Sequence, residues 1–209
     1  MTFQFKRSVE SLAGPKGSGP STTFSTFHIF RAMELLAIEP MGRNRLAEKL
    51  RVGKGAIRTI ISHLKDAGLV ATSKKGGTLT SKGLNLWKRI VEVFPKRVEI
   101  EKTALTTSQY NYAFLVKNKG HRVRSGIDQR DAAIMGGARR ALVIVVKNER
   151  LIIESISTDL KKDYPEAANN LISDLKPENN DVIIIAGADN PSKAMHGAFA
   201  ASWALLGNN

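Results

Sequence analysis

The stretch at 43–69 most constrains the fold, because two short helical patterns lie there with only three residues, Arg51-Val52-Gly53, between them. The first pattern predicts a helix over about 43–50, and the second predicts one over about 54–67 that is closed by Gly68. Their apolar positions follow helical spacing: Leu46, Ala47 and Leu50, then Ile57, Ile60, Ile61 and Leu64. Two helices joined by so tight a turn are typical of a helix-turn-helix unit.

The flanking segments extend this unit into a domain. Helical spacing from Phe24 to Ile38 predicts a preceding helix, which Pro40 and Gly42 end. After Gly68 the period changes to that of strands, and 69–72 and 78–80 flank a glycine turn that carries Lys74 and Lys75. A last helical pattern over 81–94 stops at Pro95. The predicted order is therefore three helices, a lysine-tipped hairpin and a fourth helix.

The local sequence resembles that of winged helix-turn-helix transcriptional regulators. The resemblance is carried by LAEKL at 46–50, by Val52 and Ile57, and by LKDAGLV at 64–70. It implies that the helix over 54–67 enters the major groove of DNA and that the hairpin over 69–80 acts as a wing on the backbone. The chain departs from the family at Gly53, where Ser or Thr is common, because glycine caps a helix without supplying a side-chain oxygen.

The charge of the chain favours a polyanionic partner. The 209 residues carry a formal net charge of +13. The excess lies in residues 1–95, where 16 Lys and Arg against 6 Asp and Glu give a net of +10. Residues 96–209 have 16 against 13, a net of +3. Because a basic surplus of this kind usually serves to bind nucleic acid, we expect double-stranded DNA as the partner.

Candidate DNA contacts follow from helical geometry. If Ile57, Ile61 and Leu64 point inward, the opposite face of the second helix points outward. Arg58 is the best candidate for a guanine edge, because its guanidinium can donate two hydrogen bonds. The other expected contacts are Arg43, Asn44, Arg45, Lys54, Thr59, Ser62, Lys74 and Lys75. Each of them could instead be an ordinary solvated surface residue.

Beyond Pro95 the chain alternates between strand and helix patterns. Strands are expected at about 97–103, 111–117, 141–147, 150–155 and 181–187, and helices at about 128–137, 164–175 and 191–206. The uninterrupted apolar runs at 141–147 and 182–186 predict central strands. The predicted fold class is α+β, with an N-terminal winged helix-turn-helix domain followed by a mixed α/β domain. Its predicted parts are a flexible lead-in over 1–23, a DNA-binding domain over 24–95 and an effector-binding or dimerisation domain over 96–209.

The second half resembles the C-terminal α/β domain, of unknown function, of an archaeal two-domain family that begins with a winged helix. GIDQRDAAI at 126–134, followed by GGA at 136–138, carries this resemblance, which supplies no reaction. Four residues at helix starts are candidate ligand contacts, namely Arg130, Asp131, Asp189 and Asn190. The alternative is plain helix capping, with Asp128 and Asn190 as N-caps and Pro191 at the first helical position.

Several classes of site are not expected. The chain has no cysteine, which excludes disulfides and thiolate chemistry, and its four histidines show no metal-ligand spacing. No GxSxG, HExxH or GxGxxG motif occurs, so neither catalysis nor a cofactor is predicted. Without an apolar run long enough to span a membrane or a signal peptide, the expected location is the cytoplasm.

These observations predict a DNA-binding transcriptional regulator that acts as a homodimer, whose C-terminal domain senses a small-molecule effector, dimerises, or does both. Two alternatives stay open. The C-terminal domain could be an enzyme for a phosphorylated or nucleotide substrate, or the winged helix could bind a protein instead of DNA.

Overall fold

The computed structural model describes residues 2–14 and 23–207, and the chain divides into two compact units, Met1–Ile90 and Val91–Asn209. Both units combine helices with antiparallel strands. Among the described helices, none is both long and apolar enough to cross a membrane.

The N-terminal unit contains the predicted succession of three helices, hairpin and helix, preceded by one further helix. Its elements are α1 (Thr2–Ala13), α2 (Thr26–Ile38), α3 (Arg43–Leu50), α4 (Lys54–Asp66), β1 (Val70–Ser73), β2 (Gly76–Leu79) and α5 (Ser81–Val93). The apolar positions predicted to hold the helix-turn-helix together are buried, with Leu46, Ile57 and Leu64 at most 2% exposed. The split between the two units lies within α5, near the predicted boundary between 95 and 96.

The N-terminal segment corrects one prediction. Part of the expected flexible lead-in over 1–23 is helical, because α1 buries Phe5, Val9 and Leu12 along one of its faces. This face packs against α2 and α4. The ring Nδ1 of His63 in α4 lies 2.8 Å from the carbonyl oxygen of Leu12, which ties the end of α1 to α4. The rest of the predicted lead-in, at 15–22, lies outside the described residues.

The wing is joined to the segment that precedes α3. Strands β1 and β2 pair in antiparallel register, with Val70 opposite Leu79. Met41 and Gly77 exchange two backbone hydrogen bonds of 2.9 Å, so Met41 forms a one-residue β-bridge to the hairpin. Gly76 has φ +119°, and a Cβ there would stand 2.5 Å from the carbonyl carbon of Met41. Only glycine fits this close approach.

The C-terminal unit is built on a five-stranded antiparallel sheet with the order β3-β4-β7-β5-β6. Its elements are β3 (Arg97–Ile100), β4 (Tyr110–Val116), a 3-10 turn (Gly120–Arg122), α6 (Ile127–Met135), β5 (Arg140–Lys147), β6 (Arg150–Ile152), α7 (Leu160–Asp163), α8 (Pro165–Leu175), β7 (Val182–Ala188) and α9 (Pro191–Leu205). All seven residues of β7 are buried, and β5 is its neighbour. The prediction that these two strands are internal to the sheet is confirmed.

Helices cover both faces of this sheet. On one face, Leu115, Ile144 and Ile183 share a core with α7 and α8. On the other face, Phe114 packs against Phe199 of α9, and α6 contacts both α9 and β5. The predicted fold class, a helix-turn-helix domain followed by a mixed α/β domain, is confirmed.

Candidate nucleic-acid interface

Helix α4 has a buried face and an exposed, polar one. Ile57, Ile60 and Leu64 are at most 2% exposed, whereas Lys54 and Arg58 are exposed. The buried apolar positions anchor the helix in the domain. The direction of each side chain is therefore the one predicted from helical spacing.

Arg58 is the most available base-reading candidate on this face. It makes no hydrogen bond or ion pair with any residue that the structure describes, so all its N–H donors face solvent. The hydroxyls of Thr59 and Ser62 are used within the helix: Thr59 Oγ1 donates to the carbonyl of Gly55 at 3.2 Å, and Ser62 Oγ donates to Asp66 Oδ2 at 3.3 Å. These two side chains must give up a bond before they donate to a base, although their oxygens can still accept a hydrogen bond.

The start of α3 presents Arg43, Asn44 and Arg45 to solvent. Its N-cap is Gly42, which supplies no side-chain hydrogen bond, so the first backbone amides of the helix are open to an anion. Arg45 Nη2 is held by Glu39 Oε1 at 2.8 Å, with both side chains about half exposed. Glu39 thus engages part of the Arg45 guanidinium and leaves its other N–H donors for a phosphate, whereas Arg43 has no ion-pair partner among the described residues.

A cleft of about 520 Å³ lies between the start of α3, the second half of α4 and the wing. Arg43, Lys74 and Lys75 line it, and all three were predicted as backbone contacts. Lys65 also lines the cleft and was missed by the sequence reasoning. Lys65 lies seven residues after Arg58 and three after Ser62, which places it on the same face of the helix. The helical period of the sequence could therefore have predicted it as a contact. Four cations thus converge on one cleft.

The glycines at the start of α4 leave open space. Gly53 is the N-cap with φ −67° and no side-chain hydrogen bond. A Cβ at Gly53 or Gly55 would meet no atom within 4 Å. These glycines are therefore not required by packing, and their bare backbone is accessible to a large ligand.

The four predicted ligand residues of the C-terminal unit have different surroundings. Asn190 is the N-cap of α9, and its side chain accepts hydrogen bonds from the amides of Ser192 and Lys193 at 2.8 and 3.4 Å. Asp189 contacts Arg139 at 2.8 Å and Lys193 at 3.3 Å. The hydrogen bond from Lys193, together with both positive charges, lowers the pKa of Asp189. Capping and ion pairing thus account for both residues.

The other two ligand candidates, Arg130 and Asp131, are exposed, and Arg130 Nη2 lies 3.4 Å from Asp131 Oδ1. They line a groove of about 640 Å³ between α6 and the start of β5. The prediction that Asp128 is the N-cap of α6 is wrong. The N-cap is Gly126, two residues earlier in the chain, which adopts φ +76°.

Comparison with known proteins gives one result for each part of the chain. Residues 25–94 match the family model of the CggR N-terminal DNA binding domain. This part of the chain is thus similar to a known DNA-binding domain. Residues 107–205 match a domain of unknown function, DUF4443. The resemblance predicted for the two halves, a DNA-binding domain followed by a domain of unknown function, is confirmed.

A solved structure extends the similarity over most of the chain. The hypothetical protein PH0730 from Pyrococcus horikoshii OT3 has 27% sequence identity and a TM-score of 0.70, over 87% of this chain and 92% of its own. No curated protein matches the chain.

Proposed function

We propose that this protein is a DNA-binding transcriptional regulator. The observation that carries the proposal is the cationic cleft between α3, α4 and the wing, which lies in a region similar to the CggR DNA-binding domain. A net charge of +13 adds a general attraction to nucleic acid. Its cytoplasmic location stays a prediction.

In the proposed complex, α4 enters the major groove and the wing follows the adjacent backbone. Arg58 reads a base edge, with Lys54, Thr59 and Ser62 as weaker contacts. The cleft cations bind phosphate: Arg43, Lys65, Lys74 and Lys75. Asn44 and Arg45 add contacts at the start of α3. Phosphate contacts fix the register of the protein on the duplex, while base contacts give the sequence preference.

Replacing Arg58 tests the base-reading role. Arg58→Ala should weaken binding to the preferred duplex by about 1–3 kcal/mol and relax the preference at one base pair. Arg58→Lys keeps the charge but loses the two-pronged donor, so it should relax the preference almost as much. Binding-site selection followed by titration of single-base variants measures both effects. Full recovery of the preference by Arg58→Lys would assign Arg58 to the phosphate backbone instead.

We further propose that the regulator is a homodimer, because two winged helices are needed to read a symmetric pair of half-sites. The C-terminal unit offers a suitable face. In α6, Ile134 is 45% and Met135 90% exposed, beside the groove that Arg130 and Asp131 line. β6 pairs only with residues 145–147 of β5, so within the described chain residues 140–144 have a strand neighbour on one side only. Open strand edges and exposed apolar side chains both favour association.

Light scattering at micromolar concentration tests the dimer. The measured mass of the wild type should be twice the 22.8 kDa of one chain, and the mass of Met135→Asp should be that of one chain. Met135 is 90% exposed, so this charge should not disturb folding. Ile38→Asp, at a 76% exposed position in the N-terminal unit, is the matched control and should stay dimeric. A monomeric wild type would contradict the proposal.

A further inference from the structure

A small pocket lies at one end of the sheet in the C-terminal unit and shares Arg140, Ala141 and Leu142 with the groove beside α6. The loop before β4, residues 105–108, forms one side, and Asn111 of β4, Gly187 of β7 and Arg140 of β5 complete it. Its volume is about 90 Å³, which equals roughly three water molecules. None of the four ligand residues predicted from the sequence lines this pocket.

Asn111 presents a hydrogen-bond acceptor that the protein does not use. The side chain is only 5% exposed. Its Nδ2 donates to the carbonyls of Thr106 and Ser108 at 3.4 and 3.0 Å, which fixes the orientation of the amide. The Oδ1 atom receives no hydrogen bond from any described residue. No buried side-chain oxygen or nitrogen in the described chain lacks a hydrogen-bond partner, so this oxygen is reached by solvent through the pocket, where a ligand can replace the water.

The hydroxyl of Ser108 lies beside this acceptor and also has no hydrogen-bond partner among the described residues. Both atoms occupy space that Gly187 leaves free. A Cβ at Gly187 would overlap with Ser108 Oγ and stand 2.9 Å from Asn111 Oδ1. The glycine therefore allows a free donor and a free acceptor to meet at one point of the pocket.

Arg140 places a positive charge at the same pocket. Its Nη1 donates to Thr107 Oγ1 at 2.7 Å, which orients the guanidinium and leaves other N–H donors unused. The remaining wall is apolar, with Leu105, Leu142 and Ile185. A cationic group, one free donor, one free acceptor and an apolar wall together make a small but specific binding surface.

We propose that this pocket binds a small carboxylate that carries a hydroxyl or amino group next to the carboxyl carbon. The carboxylate accepts hydrogen bonds from Arg140 and Ser108, and the hydroxyl or amino group donates to Asn111 Oδ1. A short aliphatic side chain packs against Leu142 and Ile185. The inference deepens the effector-sensing role that the sequence predicts for the C-terminal domain and does not depend on DNA binding.

Titration of the full-length, DNA-free protein with L-lactate, L-alanine, acetate and inorganic phosphate tests the site, with amide chemical shifts as the readout. Lactate or alanine should bind saturably at millimolar concentrations and shift the amides of residues 105–111, 140 and 187. Acetate lacks the donor to Asn111 and should bind about fivefold more weakly. Phosphate should bind no better than acetate.

Three variants separate this site from general anion binding. Arg140→Met should weaken lactate or alanine binding about tenfold, because hydrogen bonds to charged groups are the stronger ones. Ser108→Ala should weaken it about threefold, and it removes no hydrogen bond made by the Ser108 side chain to the described protein. Arg139→Met removes the same charge from the neighbouring position, which is paired with Asp189, and should leave the affinity unchanged.

The inference is overturned if no probe saturates, or if Arg139→Met and Arg140→Met reduce binding equally. A high-resolution crystal structure soaked in lactate that holds only water in the pocket would also overturn it. DNA affinity of the same preparation is measured separately. If no ligand binds the pocket while DNA binding is intact, the inference fails and the proposal of a DNA-binding regulator stands.

Discussion

Raising the salt concentration from 50 to 200 mM is expected to weaken binding to a single half-site duplex about 500-fold. Each phosphate neutralised by Lys or Arg contributes about −0.9 to the slope of log affinity against log salt, because condensed counterions are released on binding. Five cations are placed on phosphates in the proposed complex: Arg43, Arg45, Lys65, Lys74 and Lys75. Fluorescence anisotropy with a labelled duplex measures the slope.

The wing lysine gives the matched comparison. Lys74→Ala should reduce the slope by about 0.9 and weaken all sequences alike, so that the same change of salt costs only about 150-fold. Lys162→Ala removes the same charge from exposed α7 in the C-terminal unit and should leave the slope unchanged. Weak binding that is insensitive to salt would instead support a winged helix that contacts a protein.

The second large effect is expected for Asp181→Ala, which should destabilise the C-terminal unit by about 2–4 kcal/mol. Asp181 is 1% exposed. Its Oδ1 accepts from the amide of Asn118 at 2.9 Å, and its Oδ2 accepts from the amide of Glu178 and from Lys117 Nζ, both at 2.8 Å. Removing the carboxylate leaves the amides of Asn118 and Glu178 without an acceptor, and Lys117 Nζ loses its buried partner and keeps only the exposed Glu178.

Urea unfolding followed at Trp203 measures this loss in a Trp87→Phe background, so that fluorescence reports on the C-terminal unit alone. Glu178→Ala is the control. Its side chain also pairs with Lys117 but is 78% exposed, and the loss should stay below about 1 kcal/mol. Equal effects of the two variants would show that burial of Asp181 does not matter.

The same network affects stability at high pH. Desolvation lowers the pKa of Lys117, but hydrogen bonds and charges from Asp181 and Glu178 outweigh it, so the net pKa is raised. Because the pKa of Lys117 is higher in the folded than in the unfolded protein, the charged lysine adds to the free energy of unfolding. This stabilisation is fully present below the unfolded-state pKa of 10.5 and is lost as the pH rises through the folded-state pKa. Asp181→Ala should reduce this alkaline dependence, because only Glu178 then raises the pKa of Lys117.

Sequence alone predicted the helix-turn-helix well because its core obeys simple periods. Leu46, Ile57 and Leu64 repeat at helical spacing, and Gly68 and Pro95 mark ends that the structure places within two residues. The same rules placed β5 and β7 inside the sheet, because uninterrupted apolar runs are stable only when covered on both faces. The outward direction of Arg58 followed from the inward direction of its neighbours.

Features that depend on distant residues could not be predicted in this way. Helix α1 was missed although Phe5, Val9 and Leu12 lie at helical spacing, because so short a helix is stable only through its contacts with α2 and α4. Asp181 and Lys117 lie 64 positions apart, and no local pattern links them. The pocket at Asn111 likewise joins three strands that the chain reaches separately.

We expect the two hydrogen bonds between Met41 and Gly77 to hold the wing and the start of α3 together as one element. The spacing between Arg43 on one side and the lysines on the other is consequently set before any duplex arrives. Little conformational entropy then has to be lost on contact, and more of the electrostatic attraction is expressed as affinity. The proposed regulator is therefore expected to prefer DNA whose groove dimensions already match the spacing of these cations.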